Sequence, residues 1–281
     1  HSGLLPLLFK YGYDGPVYMT QPTRDLAALL QNDYIKVARM EGGKVPYESK
    51  FIREELKHTI TLRYGETTDI TRDMRLTFYN AGHILGSASV HLHIGDGLYN
   101  VVLSGDVKFE KTWLFNPANN KFPRAETFMT ESTYGGRDDY SFTREEATQT
   151  LIDVINRTRD RGGSVLIPVF AVGRSQEVMI VLEDAMRSGK IPQMDVYLDG
   201  MIMEATAIHA AYPEYLNKEL REAIMVRKEN PFLSPIFKKV ETKEQREDIA
   251  ENPESKIVLA TSGMMNGGPV MEYFKAWSSN P

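Results

Sequence analysis

Three stretches of strand-like texture each run into a side chain that can bind a metal or move a proton. RLTFYN leads to His83 in NAGHILGSA, LYNVVLSG leads to Asp106, and TFMT leads to Glu131. Alternation of period two and β-branched or aromatic content predict strands in all three runs. A side chain at a strand's end can project from a rigid sheet into a cleft, so residues distant in sequence can converge on one ion. Taken singly, a Gly-His in a loop is ordinarily structural, and an Asp after Ser-Gly is an ordinary turn former. The ordered series of strand, His, hairpin, strand, Asp, strand and Glu has no simple turn-chemistry explanation. Imidazole with carboxylate and no thiolate suits zinc or another first-row metal in a hydrolytic role.

The rest of the chain reads as alternating helices and strands. TQPTRDLAALLQNDYIKVARMEGG predicts a helix with Thr23 as N-cap, Asp25 in its first turn and a stop at Gly42-Gly43, and a second helix is expected over Glu48 to Lys57. Strands follow at Thr59 to Arg63 and Arg75 to Tyr79, then a hairpin in which SVHLHI and LYNVVLS flank Gly95-Asp96-Gly97. After Gly136 the texture changes. Thr143 to Glu146 form a capping box opening a helix that ends near Gly162-Gly163, and SVLIPVF is a buried strand leading into a helix over AVGRSQEVMIVLEDAMRSG. DVYLDG, a helix through Ala205 to His209, and KIVLATSG continue the alternation, which predicts a parallel, Rossmann-like layer. The charged stretch Lys238 to Glu251 reads as a solvated helix or loop.

Composition narrows the class. A chain of 281 residues with 42% hydrophobic content can build proper cores in one large or two ordinary domains. No apolar run approaches the roughly 20 residues that span a bilayer, which predicts no membrane partner. The absence of cysteine rules out disulfides and thiolate zinc sites and fits a cytoplasmic location. The formal charge of -5 argues against a broad basic nucleic-acid surface, although metal ions and a few local cations suffice to handle phosphate.

The chain opens on His1-Ser2-Gly3-Leu4-Leu5-Pro6. This segment resembles the metallo-β-lactamase superfamily, whose second motif has the form HxHxDH and in many members continues into SGLLP. PVFAVGRSQE (Pro168 to Glu177) and LATSGMMNGGPV (Leu259 to Val270) are similar to strings of the RNA-processing β-CASP nucleases within that superfamily. SGDVKFEKTWLFNPA, ESTYGG and MMNGGPVMEYF resemble the archaeal branch related to the cleavage and polyadenylation specificity factor. The resemblance implies an α/β fold: part of a metallo-β-lactamase αββα sandwich over residues 1–136, and an inserted Rossmann-like β-CASP cap over residues 137–281, with the boundary near Arg137.

The resemblance also implies roles. His1 would be the last histidine of the second motif, His83 the third-motif histidine, Asp106 the aspartate that bridges two zinc ions, and Glu131 the acidic motif A. His83 would hold one ion and His1 the other. Two zinc ions roughly 3.5 to 4 Å apart generate hydroxide at neutral pH and stabilise the entering and leaving oxygens of a phosphodiester displacement. Glu131 would orient a downstream histidine as general acid. The HxHxD part of the second motif and the histidines of motifs B and C do not occur in the chain. The chain alone is therefore expected to bind zinc weakly and to leave RNA uncut. The implied activity is a zinc-dependent ribonuclease, endonucleolytic and 5′ to 3′ exonucleolytic in range, in RNA 3′-end processing or transcription termination. Single-stranded RNA would be the substrate, with a homodimer and RNA polymerase or a processing complex among the partners it admits. Two other readings stay open: a non-catalytic scaffold of an RNA-processing complex, and a small-molecule hydrolase of the lactamase type, which the long insertion after Glu131 disfavours.

Other residues invite a role. Gly173-Arg174-Ser175 lie between a strand and a helix N-terminus, where free amides and a planar guanidinium suit an RNA phosphate; alternatively Arg174 pairs with a carboxylate and locks the cap. Ser262-Gly263-Met264-Met265 also follow a strand and would line the same cleft, with the two methionines packing. His91 and His93 share one face of a strand as chelating pairs do, but their mid-strand position predicts a packed or solvated role. His209 and His58 read as structural. GRSQE and SGMMNGG match neither a P-loop nor GxGxxG.

Overall fold

Alternating apolar and polar residues in Met74–Asn80 place Leu76 and Phe78 on one side of a strand and Thr77 and Tyr79 on the other, and the sheet built around this strand is stacked on a second, smaller one. The computed structural model describes residues 2–40, 42–136, 138–139 and 142–279, so His1 and the sequence boundary at Arg137 lie outside the described residues. The chain divides into two compact units: His1–Lys111 with Pro117–Glu131, and Thr112–Asn116 with Ser132–Pro281.

The first unit holds helices α1 (Leu5–Lys10), α2 (Gln21–Met40) and α3 (Ser49–His58) and strands β1 (Val17–Met19), β2 (Thr59–Thr61), β3 (Thr67–Asp69), β4 (Met74–Asn80), β5 (Ala88–Ile94), β6 (Tyr99–Leu103) and β7 (Thr127–Met129). Strands β3-β4-β5-β6-β7 form one sheet in that order, antiparallel except for the parallel β6–β7 pair, while β1 and β2 form a separate parallel pair. Leu76, Phe78, Val90 and Leu92 pack with Tyr18 of β1 and with Leu62 just past β2, which makes a sheet-on-sheet core. The opposite face of the larger sheet is polar yet covered. A chain of hydrogen bonds crosses it, linking Thr67 Oγ1 with Thr77 Oγ1 (2.8 Å), Thr77 Oγ1 with His93 Nε2 (3.1 Å) and His93 Nδ1 with Asn100 Oδ1 (2.8 Å), and Asn100 Nδ2 donates to Glu126 Oε2 (3.2 Å). The groups along this chain satisfy one another, which is what allows a covered face to be polar, whereas both ring nitrogens of the buried His91 on the same face have no hydrogen-bond partner among the described residues.

The second unit contains helices α4 (Arg144–Asp160), α5 (Arg174–Arg187), α6 (Ile202–Ala211), α7 (Lys218–Glu222), α8 (Lys243–Glu251) and α9 (Val270–Trp277) around strands β8 (Val165–Pro168), β9 (Val196–Asp199), β10 (Phe237–Lys239) and β11 (Ile257–Ala260). The sheet order is β10-β9-β11-β8 and every pairing is parallel. Strand β11 is buried along its whole length, which is why KIVLATSG shows no alternation. Ile257 and Leu259 pack against α4, α5 and α6, whereas Val258 and Ala260 pack against α8 and α9. Helix α4 opens on the expected capping box, with Thr143 Oγ1 accepting the Glu146 amide (3.2 Å) and Glu146 accepting the Thr143 amide (2.9 Å).

Several local expectations change. Helix α2 starts at Gln21, so Thr20 is its cap and Thr23 lies inside the first turn; Pro22 fits there because a first-turn amide has no helical partner anyway. The charged stretch from Lys238 begins in edge strand β10 before becoming the exposed helix α8. β1, β3 and β10 are three residues each, too short to show a period.

Candidate active site and the loops that carry it

Because β4 and β6 are both antiparallel to β5, they run in the same direction, and β7 is parallel to β6. The C-terminal ends of these three strands therefore share one edge, and His83, Asp106 and Glu131 follow them there. His83 Nε2 lies 3.8 Å from Asp106 Oδ2, with both side chains partly open to solvent. Glu131 Oε1 accepts the Val107 amide at 2.9 Å and so holds the backbone immediately after Asp106.

The His83 loop is fixed by short polar side chains. Asn80 Oδ1 accepts the Gly82 amide (2.9 Å), and Ser87 Oγ accepts the amides of His83 and Ile84 (3.2 Å each). The Gly86 carbonyl accepts the hydroxyls of Thr20 (2.9 Å) and Thr23 (3.1 Å), which ties the loop to the start of α2. Gly86 has φ +77° and sits so close that a Cβ would meet Thr20 Oγ1 at 2.6 Å and Pro22 Cγ at 2.7 Å, so glycine is required there. The loop after Asp106 joins the same assembly, with the Lys108 amide donating to the Ala81 carbonyl at 2.9 Å.

Nitrogen and oxygen donors 3.8 Å apart on locked loops fit two ligands of a zinc centre. Among the described residues no group of three His, Cys, Asp or Glu that could hold a metal forms around them. Glu131, with one oxygen on the Val107 amide, is placed to position the Asp106 loop.

In the second unit the Gly173 turn is built differently from a free amide nest. The Gly173 amide donates to Gln176 Oε1 (2.7 Å), and the buried Ser175 hydroxyl donates to the Ala171 carbonyl (2.9 Å). Arg174 alone of the three projects outward, its side chain 59% exposed, while Nη1 donates to Glu177 Oε2 at 2.8 Å. Glu177 is buried and also accepts from Arg144 and from the Trp113 amide (3.3 Å). After β11, Gly263 lies against the backbone of Val169 and Phe170, bringing the two post-strand loops together. Met265 (φ +52°) packs against the α8–α9 core, but Met264 is 70% exposed, which corrects its expected packing role: the turn at Met265 directs the two side chains apart.

The remaining histidines are structural in their surroundings. His91 is buried beside Tyr79, Phe122 and His93, and burial pushes its pKa down. His58 Nδ1 bonds the Glu54 carbonyl at 2.8 Å and stacks near Phe9. His209 lies between Phe115 and Phe232 with Nδ1 donating to the Ala205 carbonyl at 2.7 Å. Sequence reasoning did not find Glu177, Asn217 or the segment Thr112–Asn116 that they anchor; the acid three residues after Arg174 was the one local signal available.

No helix among the described residues is long and apolar enough to cross a membrane. Residues 175–281 match the Beta-Casp domain family. The transcription termination factor FttA of Methanosarcina mazei is 61% identical over 281 residues, covering 100% of this chain and 44% of the relative. The factor of the same name from Thermococcus kodakarensis is 57% identical over 282 residues, covering 100% and 43%, and that of Lokiarchaeum is 49% identical over 276 residues, covering 98% and 43%. The chain thus spans less than half the length of these curated relatives. The Beta-Casp domain match thus falls on residues 175–281, within the parallel α/β unit, and the whole chain is similar to part of the archaeal factors named above.

Proposed function

We propose that the complete protein is a cytoplasmic, zinc-dependent ribonuclease that cuts single-stranded RNA in 3′-end processing or transcription termination, with RNA polymerase or a processing complex as its partner. The observation that carries this reading is the convergence of His83 and Asp106, 3.8 Å apart, at the common end of β4 and β6. The similar archaeal proteins are named transcription termination factors, which supports the RNA context. His83, Asp106 and His1 would hold zinc, and the metal would supply hydroxide near neutral pH and charge stabilisation at the phosphate. Asp106 would contribute its carboxylate to that metal, beside His83. Glu131 keeps the Asp106 loop in place through the Val107 amide, and Arg174 offers its exposed guanidinium to the RNA backbone. Gly173 and Ser175 shape that turn, since their amide and hydroxyl protons are used within it.

The test is cleavage of an end-labelled single-stranded RNA by the complete protein with zinc, beside its Asp106→Ala variant, with product ends mapped. Zinc-dependent products that vanish in the variant are expected, and their ends distinguish internal cutting from 5′ to 3′ digestion. Binding without cutting by either protein would refute the nuclease reading. The 281-residue chain alone, with two ligands described, is expected to leave the RNA intact.

A further inference from the structure

The segment Thr112–Asn116 follows the Asp106 loop in sequence but folds with the second unit. Its backbone is held from several directions. Asn217 Nδ2 donates to the Trp113 carbonyl (2.9 Å) and the Thr112 carbonyl (3.3 Å), and the Asn217 amide donates to the Leu114 carbonyl (2.7 Å). Thr112 Oγ1 accepts the amides of Leu114 (3.1 Å) and Phe115 (2.8 Å). Thr112, Leu114 and Phe115 are buried, yet Trp113 between them is 38% exposed. A single exposed apolar residue is ordinary on a protein surface. Here a second observation gives it meaning. The buried Glu177 carboxylate accepts the Trp113 backbone amide on Oε1, beside Arg144, and the Arg174 guanidinium on Oε2, so the backbone that carries an exposed indole and an exposed guanidinium are held by the same group.

An aromatic face beside a planar cation is the combination that takes one nucleotide of a single strand, the ring stacking on the base and the guanidinium bonding a phosphate. We propose that Trp113 is a base-stacking residue for single-stranded RNA, that Arg174 takes the adjacent phosphate, and that Glu177 positions both. This rests on the RNA reading above and adds a subsite to it. Stacking tolerates any base, so the subsite contributes affinity and register without sequence preference. Glu177 leaves Arg174 in place when no RNA is bound, which limits the entropy lost on binding.

The experiment uses the complete protein carrying Asp106→Ala to suppress cleavage, and measures anisotropy of a fluorescein-labelled single-stranded RNA over a range of salt. Trp113→Ala and Trp113→Leu are expected to weaken binding about tenfold, the scale of one lost base stack, with the salt slope unchanged. Trp113→Tyr is expected to stay within about twofold, since a π-face remains. Arg174→Ala should lower the salt slope by about one, as one phosphate contact is lost. Ala and Leu variants that bind like the parent would overturn the subsite and leave the RNA reading intact. A Tyr variant as weak as the Ala variant would trace the effect to packing and overturn the stacking role. A parent protein that binds no RNA would overturn both. The Leu variant retains apolar bulk, and thermal melts compare its fold with that of the parent.

Discussion

Acid should loosen the second unit through His209, and the size of the effect follows from its surroundings. The ring is fully buried between Phe115 and Phe232, Nδ1 donates to the Ala205 carbonyl, and Nε2 has no hydrogen-bond partner among the described residues. Burial pushes its pKa from 6.5 down to about 4, because a charged imidazolium in this apolar site has lost its hydration. In the unfolded chain the same ring takes up its proton near 6.5. Between these values the unfolded state binds more protons, so stability is complete above 6.5, falls as the pH is lowered through the window, and levels off below about 4. At about 1.4 kcal/mol per pH unit per proton, the whole window is worth about 3 kcal/mol. The perturbation is His209→Leu, which removes the titration and keeps an apolar filling. Urea unfolding of both proteins from about pH 7.5 to about pH 4.5 isolates His209 in the difference of their slopes, since every other group cancels. Trp113 fluorescence, read in a Trp277→Phe background, reports the unit directly because Phe115 touches the His209 ring on the same anchored segment. Parallel pH curves for the two proteins would refute the reasoning.

Two further outcomes test the supports of the site. Gly86→Ala should destabilise the first unit by about 3 kcal/mol, combining a positive φ unsuited to alanine with overlap on Thr20 and Pro22; a loss below about 1 kcal/mol in urea melts would show that the His83 loop yields freely. Asn217→Ala should cost about 2 kcal/mol, since it removes the α7 cap and leaves the Thr112 and Trp113 carbonyls without their donor; faster tryptic cleavage at Lys111 would report the freed segment, and unchanged digestion would count against the anchor.

Much of this architecture can be read along the chain because its signals are local. Period-two runs ending in His83, Asp106 and Glu131 mark strands and their exits, the Thr143–Glu146 box marks the start of α4, and Gly42 marks the end of α2. The misreadings are local too. Thr23 reads as the cap, whereas the helix starts at Gln21 with Pro22 in its first turn, and three-residue strands such as β10 are too short to display a pattern.

The sequence by itself determined which residues could do chemistry and that each of three would stand at a strand end. Only the tertiary structure decided that those ends coincide, because direction depends on the order β4-β5-β6-β7, which no single strand encodes. It also decided the fate of the Gly173 turn, where Gln176 and Ala171 use the groups of Gly173 and Ser175 and leave Arg174 outward. The hydrogen bond from Trp113 to Glu177 spans 64 residues, and the Asn217 anchor spans 104. Such contacts carry no period or local motif; they exist because a polar backbone buried far from its neighbours in sequence must find its partners wherever the fold brings them.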